Sequence, residues 1–484
     1  MLTLSLIFLP IVAGLLTLTT KGENAKTLAS IAAFAELVLG GYAYYTFVPN
    51  ATSQFTYSHL WIANAGINFS VGIDGISLIL VALTTLIVPF IVLSTFNLRY
   101  KNPSVFYALI LFMQAALVGV FTAKDAFLFY FFFEAALIPI YFIAAIWGGE
   151  NRIKVTFKFF VYTLFGSLFM LLALVYLYLK TPGVHSSEIT AFYDLASSLD
   201  LKEQSLLFGA FFIAFAIKMP LFPFHTWQPD TYVEAPTAGT MLLSGIMLKM
   251  GTYGLIRLLL PIVPLGVQHW GMVAVILSVI GIVYGSIIAI QQKDMKRLIA
   301  YSSFAHVGLM AAGIFSGTLD GIQGALIQML AHGVNVVGLF FVVEVIQQRT
   351  KSRELESLGG ITQTTPFLTV TFIILMLGSV ALPLTNGFVG EFLLLKGVYE
   401  YNAWAGAIAG LTIILGAVYM LRLVQKSMFG NTTSLTEGFT DLTFSEKATL
   451  LPLAFMVIWF GLAPNTFLTV SEPAVAQLLT LISK

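Results

Sequence analysis

Cysteine is absent from this 484-residue chain. Without thiolates it cannot house an iron–sulfur cluster or a thiolate metal site, and no disulfide marks its compartment. No Gly-Lys dipeptide occurs, so there is no Walker A loop and no ATP-driven cycle. Charge is scarce, at 10% of residues, and nearly balanced at a net +1, which implies no polyanionic partner. No pair of histidines has ligand spacing, which speaks against a metal site. The opening stretch, MLTLSLIFLPIVAGLLTLTTKG, lacks a basic n-region and a convincing cleavage site. It is read as a retained first helix.

What fills the chain instead is hydrocarbon. Hydrophobic residues make up 58% of it and the mean hydropathy is +0.91. That predicts an all-α polytopic membrane protein. Apolar runs of spanning length fall near 2–20, 27–48, 74–96, 104–122, 125–147, 155–179, 205–226, 237–260, 270–292, 298–316, 322–347, 366–397, 403–429 and 447–470, about fourteen helices. The 49–73 connection is uncharged until Asp74 and reads as an interfacial hairpin.

Lysine and arginine set the expected orientation. Lys21 and Lys26, Arg99 and Lys101, Arg152, Lys154 and Lys158, Lys293, Lys296 and Arg297, Arg349, Lys351 and Arg353, and Arg422, Lys426 and Lys447 all cluster at odd-numbered connections. The opposite side holds only Lys124, Lys180, Lys202, Arg257, Lys396 and Lys484. The positive-inside rule then makes the odd connections cytoplasmic and puts both termini outside, the periplasmic side of a bacterial inner membrane.

Helices 4–8 and 9–13 form two groups of five, and an odd number per group inverts the second against the first. The fourth helix of each group is interrupted. Helix 7 carries Lys218-Met-Pro-Leu-Phe-Pro and helix 12 carries Leu382-Pro-Leu-Thr-Asn-Gly. Matching breaks in two halves point to an inverted-repeat transporter with sites near the midplane. The expected divisions are 1–103 for helices 1–3, 104–260 and 261–429 for the two half-channels, and 430–484 for a loop and helix 14.

Ionisable residues inside the membrane are costly and mark ion paths. Glu134 sits mid-run among phenylalanines, with Lys218 as its natural charge partner. A structural, hydrogen-bonded carboxyl is the competing reading. Lys249 lies deep in helix 8, too far in to snorkel easily. The alternative for it is an anchor on carbonyls freed by the helix 7 break. His306 and His332, on successive helices, are either satisfied core residues or relay groups. Glu391 follows the helix 12 break, where a helix cap is equally open. His225 reads as a cap at the polar hairpin, and Asp230 and Glu234 as its structural anchors. Together the buried ionisable residues suit a proton wire; no cluster of aromatics and donors is shaped for an organic ligand.

The stretches FEAALIPIYF…GGENR, KMPLFPFHTWQPDTYVEAPTAGTMLLSGIMLKMGTYG, AYSSFAHVG and GFVGEF together resemble those of subunit M of respiratory complex I, NADH:quinone oxidoreductase. Subunits L and N and the large subunits of multisubunit sodium/proton antiporters are relatives. The spacing in Val-Glu-Ala-Pro-Thr-Ala-Gly and a glutamate in helix 12 favour M over L. The resemblance implies broken helices 7 and 12 and a proton-translocating role coupled to electron transfer elsewhere in a complex. It implies that Glu134 modulates Lys218, that Lys249 connects the halves, that His306 and His332 relay and that Glu391 is a terminal proton site. It implies no cofactor in this chain, with flavin, clusters and quinone in partner subunits, and L-like and N-like neighbours. The competing functions are a sodium/proton antiporter subunit and a passive spacer; the buried lysines and glutamates count against the spacer.

Overall fold

The computed structural model describes residues 1–183 and 185–483. Among the described residues, twelve helices are long and apolar enough to cross a membrane. They follow the expected runs closely, from Leu2–Thr19 through Phe444–Leu462. Two of the fourteen expected runs are not among the twelve. The run at 205–226 is helical only over Leu201–Lys218, and the run at 366–397 divides into Pro366–Ser379 and Asn386–Tyr401.

Proline explains the first interruption. Pro220 has no N–H for the carbonyl of Ala216, and Leu221 N–H takes that carbonyl instead at 2.7 Å. The carbonyl of Ile217 is left over, and the Trp227 indole donates to it at 2.9 Å. A short helix, Gln228–Glu234, then leads to the next span, Thr237–Ile262. That span changes to π-helical winding at Leu243–Met247 and again at Leu255–Leu259.

The 49–73 connection is a hairpin, as expected: Gln54–Ile62 and Ile67–Ile73 pair as antiparallel strands in an otherwise helical fold, with Tyr57 opposite Val71 and His59 opposite Phe69. Alternating Phe, Tyr and Thr in QFTYSHLWI supply the β propensity. One feature departs from the sequence reading: a further helix, Asn465–Ile482, after Phe444–Leu462. It follows Pro464, and its interspersed Thr, Ser, Glu and Gln hide it from a hydropathy scan. It packs on Gly75–Ser94 and Leu319–Thr350. An added Cβ at Gly75 would collide with the Val470 carbonyl there.

Helix starts are capped where the chain re-enters. Asp74 accepts from Ile76 and Ser77 N–H at 3.1 and 3.0 Å, with Ser77 Oγ returning the contact to the Asp74 N–H. Asp125 does the same for Phe127 and Leu128 at 2.9 and 3.1 Å. Each cap satisfies donors that a helix N-terminus otherwise leaves free.

Candidate functional site

Lys218 is the last residue of its helix, and its Nζ is buried with no hydrogen-bond partner among the described residues. The ammonium lies 4.5 Å from the centre of the Phe133 ring, a cation–π contact. Glu134, next to that phenylalanine, is half-buried. No contact ion pair joins it to Lys218 among the described residues. The expected Glu134–Lys218 ion pair is therefore not formed, and the Phe133 ring is the group that lies against the ammonium. Glu134 sits where the span breaks into Ala126–Ala135 and Leu137–Trp147. Pro139 is the cause, since it cannot donate to the carbonyl of Ala135.

Gly251 lets the next helix come close to the end of the Lys218 helix. A Cβ at Gly251 would sit 2.8 Å from Met219 Cβ and 2.9 Å from Phe215 O, both fixed atoms. Only a residue without Cβ permits that approach. Two residues before it, Lys249 is fully buried. Its Nζ donates to the Ser244 carbonyl at 2.6 Å and lies 2.9 Å from His332 Nδ1. The π-helical turn supports this: Leu248 N–H bonds to Leu243 O, five residues back, at 3.1 Å. Such turns interrupt the regular ladder and recur at functional sites.

His332 belongs to Leu319–Thr350 and His306 to Met295–Phe315. Their ring centres are 5.9 Å apart. His306 Nδ1 lies 3.0 Å from Glu391 Oε1, close enough to pair when the ring is protonated, though not aligned for a hydrogen bond. Gln328 Nε2 reaches the same oxygen at 3.5 Å. Glu391 is inside Asn386–Tyr401, past its first turn, and does not cap that helix. The structure thus joins Lys249, His332, His306 and Glu391 in one buried chain across four helices. Glu134 and Lys218 stand apart from it in the first half.

The hairpin residues have structural partners. Asp230 pairs with Lys158 at 3.2 Å and Arg297 at 2.5 Å. Glu234 accepts from Asn151 N–H at 3.0 Å. The His225 ring stacks on Phe304 at 4.4 Å, and its Nδ1 makes no capping bond. Among the described residues no group of three or more histidines and carboxylates is placed to hold a metal ion.

Sequence reasoning missed two carboxylates. Glu36 is fully buried in Glu23–Thr46, with neither oxygen partnered among the described residues. A single acid in AAFAELVLGG was signal enough to find it. Glu344 accepts from the Thr237 hydroxyl, a contact 107 residues apart in sequence that no local pattern foretells.

Residues 123–416 match the family model described as NADH:quinone oxidoreductase/Mrp antiporter, TM. The chain is 42% identical over 484 residues to NADH-quinone oxidoreductase subunit M of Rickettsia typhi, covering 98% of this chain and 97% of the relative. The chain belongs to the NADH-quinone oxidoreductase subunit M family. Its fold superposes on a chain of respiratory complex I from Thermus thermophilus with a TM-score of 0.91 and 31% identity, covering 99% of this chain and 100% of that one. A chain of the Mrp complex from Dietzia sp. gives a TM-score of 0.85 at 21% identity, over 99% of this chain and 51% of that one. At that identity the likeness is one of fold alone. Like the other members of the subunit M family, the chain is a multi-pass membrane protein.

Proposed function

We propose that the chain translocates protons in the membrane arm of a complex I, through Glu134, Lys218, Lys249, His332, His306 and Glu391. The observation that carries this is the Lys249–His332 contact of 2.9 Å, continued to Glu391 by His306. Lysine and imidazole can each bind and release a proton, and a buried set of them is retained in a membrane only at a cost of several kcal/mol. A proton on Lys249 Nζ can pass to His332 Nδ1 directly. His306 and Glu391 then form an acceptor pair on the far side. Glu134 biases Lys218 through its charge, so its protonation state sets how readily Lys218 holds a proton.

On this reading the chain is a translocase subunit without redox chemistry of its own. Flavin, clusters and quinone reside in partner subunits, and its neighbours are L-like and N-like subunits. Residues 104–260 and 261–429 are the two inverted half-channels, and the Lys/Arg-rich connections face the cytoplasm of a bacterial inner membrane. A large antiporter subunit is the alternative, and it rests on fold likeness at 21% identity.

The test is Lys249→Arg. Arginine keeps the charge and the reach, but its pKa stays above about 12, so it cannot hand a proton on. The assembled variant should pump as poorly as Lys249→Ala, measured as proton uptake by vesicles scaled to complex content on a native gel. Near-normal pumping by the arginine variant would leave Lys249 as an anchoring charge and sink the relay.

A further inference from the structure

We infer that Glu344 is the proton-uptake carboxylate for Lys249, joined to it by a stripe of hydroxyls on Thr237, Thr240 and Ser244. The inference rests on the proposed proton-translocating role. Glu344 lies near the end of Leu319–Thr350 that carries Arg349, Lys351 and Arg353. It is half-buried, and the proposal has it take its proton from the Lys/Arg-rich face. Its two oxygens are engaged separately: Oε2 accepts from the Thr237 hydroxyl, and Oε1 from Gln348 Nε2 at 3.1 Å. Lys296, buried on the neighbouring helix and bonded to Ala235 O at 2.7 Å, and Tyr100 are the titratable groups that share its surroundings.

Thr237, Thr240 and Ser244 follow at i, i+3 and i+7, one face of a helix. All three are buried. Thr240 Oγ1 donates to Tyr232 O at 2.8 Å, and Ser244 Oγ to Thr240 O at 2.7 Å. Each hydroxyl oxygen therefore keeps lone pairs free to accept a proton. The stripe ends at the residue whose carbonyl holds Lys249 Nζ at 2.6 Å. Cβ atoms at this helical spacing stand about 5–6 Å apart, so the proposed route runs through waters bridging the hydroxyls. The other side-chain partner of Lys249 Nζ, His332, leads onward instead.

The step balances as one proton moved. Glu344 takes a proton from solvent and gives it to Thr237 Oγ1. Each hydroxyl in turn binds one proton at oxygen and releases its own to a bridging water, the last water passing it to Lys249 Nζ, which otherwise rests on the Ser244 carbonyl. Lys249 goes from amine to ammonium, and Glu344 returns to carboxylate. Glu344 and the hydroxyls are uptake groups, distinct from the relay between Lys249 and Glu391.

The experiment uses the assembled complex in inverted vesicles, with pumping and NADH-driven turnover scaled to complex content. Glu344→Gln should lower both by about threefold or more and raise the solvent deuterium isotope effect, while Glu344→Asp keeps over half the rate. Thr240→Val should act like Glu344→Gln, and Thr240→Ser like the parent. The double variant Glu344→Gln/Thr240→Val should be no slower than the slower single, because both cut one path. Unchanged pumping by Glu344→Gln, or losses that multiply in the double variant, would overturn the inference. Should Glu344→Gln fail to assemble, Thr240→Val against Thr240→Ser decides alone. Lys249→Arg run in parallel separates the two ideas. If it is dead while Glu344→Gln is normal, only this route fails; if it pumps normally, the relay itself fails.

Discussion

Glu134 is the residue whose role the geometry sharpens most. It does not touch Lys218, and the Phe133 ring takes the contact position at 4.5 Å from Nζ. On the proposed role its influence on Lys218 is electrostatic rather than a contact, and in a low-dielectric interior charges act over longer distances than in water. A neutral side chain should remove that influence without disturbing packing at a half-buried position. Glu134→Ala should cut proton uptake roughly tenfold or more while assembly survives, and Glu134→Asp should keep part of it. Vesicle uptake scaled to complex content checks both. Normal pumping by an assembled Glu134→Ala complex would make the carboxylate structural. The same scale shows where local pattern stops. The sequence exposes Glu134, Lys218, Lys249, His306, His332 and Glu391 as polar residues in apolar runs. It cannot say that His332 meets Lys249 while Glu134 misses Lys218, because side chains from different helices meet only after packing.

Among the elements, the interrupted helix at Lys218 depends on one indole. Trp227 fills the donor position left open at Ile217 O, at 2.9 Å, and it is itself buried. Removing that donor leaves a carbonyl unpaired in the interior, a loss of about 1–3 kcal/mol. Trp227→Phe keeps the ring and loses the N–H. It should lower the thermal inactivation temperature of the complex by a few degrees and depress pumping, since Lys218 is the next residue after Ile217. A complex with unchanged heat resistance and pumping would show that the indole bond is dispensable. Proline positions made the break legible in the sequence. The donor that repairs it was not, because it comes from ten residues further along, after the chain has turned.

For the whole molecule, orientation is the quantity still open to direct measurement. The proposed orientation puts Ser352 on the cytoplasmic face and Ser186 on the opposite one. The chain has no cysteine of its own, so single cysteines report cleanly. Ser352→Cys should label with a membrane-impermeant maleimide only from the cytoplasmic side, and Ser186→Cys only from outside. The reverse pattern would invert the proposed path.

Some properties follow from the chain read alone. Composition fixes a polytopic membrane protein, because burying so much hydrocarbon in water-facing form is not an option. Hydropathy locates most spans, proline marks the breaks near Lys218 and Ala381, and buried ionisable residues name the candidate site. Tertiary structure decided the rest. The register of the 54–73 hairpin needed cross-strand pairing, and Asn465–Ile482 needed the surfaces of Gly75–Ser94 and Leu319–Thr350 to cover its apolar side. The buried chain from Lys249 to Glu391 needed four helices from distant parts of the sequence to converge. The physical reason is range. Hydrophobic periodicity and backbone donors act within a few residues, whereas the Lys249–His332 approach at 2.9 Å and the His306–Glu391 approach at 3.0 Å join residues 83 and 85 positions apart, which only packing can set.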